Sequence, residues 1–224
     1  MTRIVEAPPH PGGTIQGLRS TGYNFNTALA DIVDNSVDAK AEKINIKIKM
    51  DVAGKILVTV ADNGCGMDES NLIRGMTYGA RGSDSPSRLG KFGLGLKTAS
   101  TAFCRKLSLI SRDKSNKELV KATWDLAHVA KVGKWEIILS SVNEYEKEIF
   151  EEVAAGSSGT LVVWDEVDKI IKDYTDPAGN HARTAFDKKC VRFKDHCSMV
   201  YQRFINTDDD RARNINIILN DEKI

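Results

Sequence analysis

Three short stretches of this 224-residue chain combine residue types able to do chemistry: Asp31-Ile-Val-Asp-Asn35, Asp62-Asn-Gly64-Cys-Gly66 and Gly90-Lys-Phe-Gly93-Leu-Gly95-Leu-Lys97. In the first, a carboxylate and a carboxamide stand one helical turn apart. A carboxamide can ligate Mg2+ when phosphates and waters fill most of the ion's shell, and a carboxylate can take a proton from an attacking water. The same pair on a solvated helix face would do neither. The second stretch follows a predicted strand, where glycines let the backbone approach something closely. It reads either as a tight turn capped by Asp62 or as an acceptor for an exocyclic amino group such as adenine's, with Met67 as a soft apolar wall. The third opens a predicted helix, whose free N–H groups and positive dipole end favour anions. Lys91 and Lys97 can add charge there. Its spacing is neither that of a Walker A loop nor that of a dinucleotide fingerprint.

These residues need elements that aim them. Over 24–40 the sequence reads as an amphipathic helix at ~100° per residue. Leu29, Ile32, Val33, Ser36 and Val37 fall on one side; Thr27, Asp31, Asp34, Asn35 and Asp38 fall on the other. Alternation predicts strands over 44–50 and 56–61, joined by a turn over 51–55. A short helix is expected over 67–75, a loop over 78–90 and a glycine-started helix over 91–103. Further strands are expected over 107–111, 119–124, 135–140 and 160–164, with a polar helical or loop segment near 144–153 and a loop over 165–181. Phe186, Cys190, Phe193, Cys197, Val200 and Phe204 recur at three- and four-residue steps, which predicts a core-facing helix before a last strand over 215–219. This order of elements implies an α+β sandwich.

Composition bounds the rest. Hydrophobic content of 41% and charged content of 28% are ordinary for a soluble globular protein. A net charge of +1 gives no global field toward nucleic acid or anionic membrane. No apolar run approaches the ~18 residues of a membrane span, and the N-terminus has no apolar secretory core. An intracellular protein is therefore expected, cytoplasmic if bacterial, with the nucleus open if eukaryotic. Cys65, Cys104, Cys190 and Cys197 form no paired framework and suit a reducing compartment. His181, Cys190, His196 and Cys197 lack zinc-site spacing. Arg183, Lys188, Lys189, Arg192, Lys194 and Arg203 are interleaved with Asp187 and Asp195, which reads as a solvated face ahead of a nucleic-acid surface.

Together, Ala28-Leu-Ala-Asp31-Ile-Val-Asp-Asn35-Ser-Val-Asp38-Ala39, then Asp62-Asn-Gly-Cys-Gly-Met67, then Gly90-Lys-Phe-Gly93-Leu-Gly95-Leu-Lys97 resemble the three boxes of the GHKL superfamily in order and setting. That superfamily joins gyrase-type topoisomerases, heat-shock chaperones, sensor histidine kinases and MutL mismatch-repair ATPases. Gly159-Thr160 resembles its later adenine-side threonine, so the likeness covers about residues 15–165. Leu18-Arg-Ser-Thr-Gly-Tyr23 and His196-Cys-Ser-Met-Val-Tyr201 look most like the MORC and MutL-like branch.

The resemblance implies a two-layer Bergerat-type sandwich, with a mixed, mostly antiparallel sheet covered by helices on one face. It implies ATP as ligand and Mg2+ as its metal. Carried over residue by residue, Asn35 would hold Mg2+, Asp38 would join the nucleotide site, and Asp62 would bind the adenine amino group. Gly64, Gly66 and Met67 would line the base, and Thr160 would reach adenine. Gly90, Lys91, Phe92, Gly93, Leu94, Gly95, Leu96 and Lys97 would wrap the phosphates, with residues 78–91 as a lid. Asp31 stands where the family's general base is usually Glu, one methylene shorter in a geometry sensitive to shifts of about 1 Å.

The implied function is Mg2+-dependent ATP hydrolysis that drives lid closure and homodimerisation of a clamp-like module, with nucleic acid as an open partner and no membrane role. A nucleotide switch with little turnover is the alternative; a histidine-kinase-type phosphotransferase is disfavoured. The expected organisation is an arm over 1–14, an ATP-binding domain over 15–180, and a closing helix and strand over 181–224. In relatives that passage leads into an S5-like transducer domain whose lysine completes the phosphate site. The chain is thus expected to be an N-terminal ATPase fragment with slow turnover.

Overall fold

A computed structural model describes residues 2–20, 22–79, 95–116 and 118–224. In chain order the elements are α1 (Pro11–Arg19), α2 (Phe25–Asp38), β1 (Lys43–Met50), β2 (Ile56–Asp62), α3 (Glu69–Met76), α4 (Gly95–Thr101), β3 (Cys104–Arg112) and β4 (Val120–Asp125). They continue with α5 (Leu126–Val132), β5 (Ile138–Leu139), α6 (Glu144–Ala154), β6 (Gly159–Val167), α7 (Asn180–Val200), α8 (Gln202–Ile205), β7 (Asn216–Leu219) and β8 (Glu222–Lys223). The strands form one sheet in the order β5-β4-β3-β6-β2-β1-β7-β8. The described pairs are antiparallel except β1 with β7. The α+β sandwich with a mixed, mostly antiparallel sheet is thus present. No helix among the described residues is long and apolar enough to cross a membrane.

Alternation along the strands divides the apolar side chains between two faces. Ile44, Ile46, Val58, Val60, Leu107, Leu109, Val162 and Trp164 bury against Phe25, Leu29, Ile32 and Val33 of α2 and Phe193 and Cys197 of α7. The Phe25 ring meets Phe103, Trp164 and Phe193 at centroid distances of 5.7, 6.5 and 6.0 Å. Such pairs add about 0.5–1.5 kcal/mol each beyond area burial.

The other face corrects the expectation of helices on one side only. Ala61, Ile110, Leu161 and Val163 point there and are covered by Ile149, Phe150 and Val153 of α6. The polar segment near 144–153 is a helix because Asn143 accepts from the Glu146 N–H at 2.8 Å while Glu146 accepts from the Asn143 N–H at 3.1 Å, a reciprocal cap. Once helical, its apolar stripe has to be buried, and the central strands, apolar in both directions, supply the surface.

Other differences are local. A helix begins at Pro11, inside the expected loose arm, because proline at a first helical position loses no bond and His10 Nδ1 accepts from the Gly13 N–H. The strand expected over 135–140 is only Ile138–Leu139, while Leu126–Val132, unpredicted, is helical with Asp125 as its cap. Of the helix expected over 91–103, residues 91–94 lie outside the described residues. Helix α7 starts at Asn180 and ends at Val200; Val200, expected in the core, is 46% exposed, and Tyr201 turns inward in its place at 2%. The closing helix and strand expected over 181–224 share this core and sheet: β7 pairs with β1.

Arg19, 5% exposed, ties α1 to the ends of α4 and β6. Its guanidinium donates to Thr101 O at 2.9 Å, Cys104 O at 2.6 Å and both Asp168 carboxylate oxygens at 2.6 Å. Removing it leaves buried acceptors short of donors, at about 1–3 kcal/mol each. Arg19→Ala is expected to lower the unfolding free energy by about 3 kcal/mol, measured by urea titration, with Arg19→Lys recovering only part because lysine cannot fork. An alanine variant within about 0.5 kcal/mol of the parent would show that the bridge does not contribute.

Candidate active site

Asp62 ends β2 and is 5% exposed. Its Oδ1 accepts from the Gly64 N–H at 2.9 Å and its Oδ2 from the Ser36 hydroxyl at 2.8 Å. Burial pushes its carboxyl above the usual range, although these bonds pull the other way. Because β6 lies between β2 and β3, Thr160 is the register partner of both Asp62 and Ser111. The three form a polar row across three strands. Ser111 Oγ donates to Gly159 O at 2.8 Å, lies 3.0 Å from Thr160 Oγ1, and accepts the Met67 N–H at 2.9 Å.

The glycines of the turn answer to the protein itself. Gly66 has φ +65°, and a Cβ there would collide with the Arg112 carbonyl at the end of β3. A Cβ on Gly64 would lie 2.8 Å from Ala39 Cβ and from Ala39 O, just after α2. The close approach read from the sequence is therefore made to neighbouring backbone, which seats the turn between β3 and α2. The Ser158 hydroxyl adds a bond to Gly64 O at 2.8 Å.

Helix α2 reaches both sides of this site. Ser36 bonds Asp62, and Asp31, one and a half turns earlier, has its Oδ2 3.8 Å from where a Cβ on Gly95 would stand. Gly95 is the first residue of α4. Burial, and then the charge of Asp34, raise the Asp31 carboxyl above its ordinary range. Asn35 is exposed, and its Nδ2 donates to Asp31 O at 2.7 Å, which leaves Oδ1 as the atom able to meet a cation. Asp38 is half-buried on the same helix.

The structure thus brings together Asp31, Asn35, Asp62, Gly64, Gly66, Met67, Gly95 and Thr160. Leu96 is half-buried and packs against the core. Gly90, Lys91, Phe92, Gly93 and Leu94, with most of the proposed lid, lie outside the described residues. Lys97 departs from the expected phosphate role. It is 2% exposed, donates to Gly75 O at 2.7 Å, and lies 5.9 Å from the centre of the Tyr78 ring. That ring belongs to a cluster with Trp124 and Trp135. The sequence assigns Ser36, Ser111 and Tyr201 no site role. A serine inside the apolar stripe of α2 is the available signal for the first, Tyr201 stands out only as the end of the His196–Tyr201 stretch, and Ser111 carries no mark.

A family described as histidine kinase-, DNA gyrase B-, and HSP90-like ATPase matches residues 23–160. Human ATPase MORC2 is 32% identical over 89 residues, 38% of this chain and 9% of that protein. ATPase morc-1 of Caenorhabditis elegans is 29% identical over 86 residues, 38% of this chain and 10% of that protein. Human mismatch repair endonuclease PMS2 is 43% identical over 54 residues, 24% of this chain and 6% of that protein. The matched stretches therefore span a tenth or less of these relatives.

Burial lowers the Lys97 ammonium from its ordinary 10.5 to about 8. Below pH 8 the folded protein carries the full penalty of a buried charge; between pH 8 and 10.5 the folded state has released the proton while the unfolded chain still holds it. Stability from this group therefore rises across that window, at about 1.4 kcal/mol per pH unit. Relative to Lys97→Met, the parent should gain on the order of 3 kcal/mol from pH 8 to 10.5 in urea unfolding. A difference that does not change with pH would show that the ammonium is not desolvated.

Proposed function

The chain belongs to the histidine kinase-, DNA gyrase B- and HSP90-like ATPases, and from that premise, which gives it ATP binding and hydrolysis, we propose how its residues divide the work. Asp62 accepts the exocyclic amino group of adenine, with Thr160 beside it and Gly64, Gly66 and Met67 along the base. Gly95 and Leu96, at the start of α4, meet the phosphates together with residues 90–94 of the same motif. One observation carries this reading: α2 bonds Asp62 through Ser36 and places Asp31 Oδ2 3.8 Å from where a Cβ on Gly95, the first residue of α4, would stand. The two positions are about 7.5 Å apart along the helix axis.

Mg2+ fits the residues present. It needs hard oxygen ligands and keeps several from phosphates and waters. Asn35 offers one carboxamide oxygen beside the acidic edge of Asp31, Asp34 and Asp38, and no group of three or more His, Cys, Asp or Glu able to hold a metal occurs among the described residues. When bound, the ion would offset phosphate charge. Asp31 acts as general base: it takes the proton of a water whose oxygen bonds the γ-phosphorus, while the bridging P–O bond breaks and ADP leaves with the electron pair.

The proposal extends to what turnover moves. Nucleotide closes residues 78–91 as a lid and promotes a homodimer, with 15–180 as the ATP-binding unit and 181–224 as the passage to a transducer. The mismatch-repair name of one relative supports nucleic acid as the partner of such a clamp. The short reach of Asp31 favours a second reading, a switch that binds ATP and turns over little.

Asn35→Ala is expected to weaken Mg·ATP binding more than about tenfold by calorimetry, and Asp31→Asn to preserve binding while lowering kcat at least about 100-fold. Asp31→Glu, restoring the missing methylene, should raise kcat. Unchanged affinity in the Asn35 variant would remove it as metal ligand, and unchanged kcat in Asp31→Asn would remove the base. Phosphate release by the parent no faster than from ATP without protein, with binding intact, would select the switch.

A further inference from the structure

Tyr201, at the end of α7, reaches the helix that carries the site. Its hydroxyl lies 2.9 Å from Ala30 O and 2.7 Å from Asp34 Oδ1. These acceptors are one turn apart on α2, and the turn they bracket holds Asp31. The next link along the helix is the Asn35 side chain bonded to Asp31 O. Asp34 is one residue from the candidate metal ligand and three from the candidate base. The Tyr201 hydroxyl is the only side-chain donor to its carboxylate among the described residues. Arg213 grips the far end of the same helix, donating to Val37 O at 2.7 Å and Ala41 O at 2.6 Å.

A carboxylate so placed would otherwise be drawn to a divalent cation, for which it is a stronger ligand than a carboxamide. It would also crowd Asp31 with a like charge. Donation from a phenol whose ring is packed in the core fixes where that carboxylate points. Resting on the assignments of Asn35 and Asp31 above, we propose that Tyr201 is a positioning residue for ATP hydrolysis. Its hydroxyl keeps the Asp34 carboxylate turned inward, so that cation and phosphate meet only the neutral oxygen of Asn35 and the base Asp31. The closing segment thereby sets the ligand count at the nucleotide site.

Tyr201→Phe keeps the ring and removes the bond. In this variant the Mg2+ concentration that half-saturates nucleotide binding is expected to fall about three- to tenfold by calorimetry. In steady-state assays kcat is expected to fall about tenfold while KM for ATP stays within about twofold. Adding Asp34→Asn removes the carboxylate that strays, so the double variant should match Asp34→Asn alone in its Mg2+ dependence. Without metal or nucleotide, hydrogen exchange at the amides of residues 34 and 35 should quicken in Tyr201→Phe by about tenfold as the helix turn loses its clamp. A purely structural tyrosine would change the melting temperature and leave Mg2+ dependence where it was, which would overturn the proposal. So would an identical Mg2+ shift in the presence and absence of Asp34. If Asn35→Ala also leaves Mg2+ dependence intact, the metal assignment fails; if it abolishes it while Tyr201→Phe changes nothing, only the positioning role fails.

Discussion

Burying a carboxylate at the end of a central strand is expensive, and much of this structure follows from how Asp62 is accommodated. An unpaired charge there would cost several kcal/mol or be quenched by a proton. Ser36 and the Gly64 N–H give one donor to each oxygen. The Ser36 bond requires α2 to cross that end of the sheet at hydroxyl reach. The Gly64 bond requires a turn tight against Ala39, which excludes side chains at Gly64. A carboxylate that burial has already stripped of most of its water, yet that still accepts hydrogen bonds, suits the proposed recognition of an amino group, since little desolvation is left for an incoming N–H donor to bring about.

The insertion of β6 between β2 and β3 completes the same end. It sets Thr160 between Asp62 and Ser111 and lets Ser111 hold the Met67 N–H, so residues more than forty apart in sequence fix one turn. Central strands placed this way are buried on both faces, and α6 is the consequence on the outer side. Its acidic helix is anchored there by ion pairs of Lys121 with Glu146 and Arg112 with Glu151, each at 2.7 Å. Arg112 is also the residue whose carbonyl abuts Gly66, so the outer helix and the glycine turn after β2 share one support.

Legibility in the sequence followed locality. The faces of α2, the hairpin of β1 and β2 and the glycine turn are set by neighbours a few residues apart, and periodicity exposed them. The order of the three motifs carries the family likeness without any knowledge of contacts. What stayed hidden depends on long-range partners. The stripe of α6 gives no sign of which sheet face it covers. Lys97 follows three glycines of a phosphate-type loop, yet its ammonium donates to Gly75 O in α3, a partner 22 residues away that periodicity does not reveal. Val200 and Tyr201 fit the apolar period of α7 almost equally well, at three and four residues from Cys197. The helix end and the two acceptors on α2 decide in favour of Tyr201.

Helix α2 therefore has two kinds of attachment. Its polar edge carries the groups proposed to meet nucleotide, whereas its termini and inner face are held by the closing segment. Asn26 bonds Arg192 O, Tyr201 bonds Ala30 and Asp34, and Arg213 bonds Val37 and Ala41. Interiors packed at this density do not deform smoothly, so a displacement of α7 or β7 relative to the sheet would be passed to α2 as a rigid shift. The reverse holds by linkage: any ligand that prefers one position of α2 must bias the closing segment to the same extent. The proposed coupling of nucleotide to motion needs such an element, shared between the chemistry and the part that moves. The one fourteen-residue helix α2 meets that requirement, with its two ends and its Ala30–Asp34 turn tied to residues 192–213.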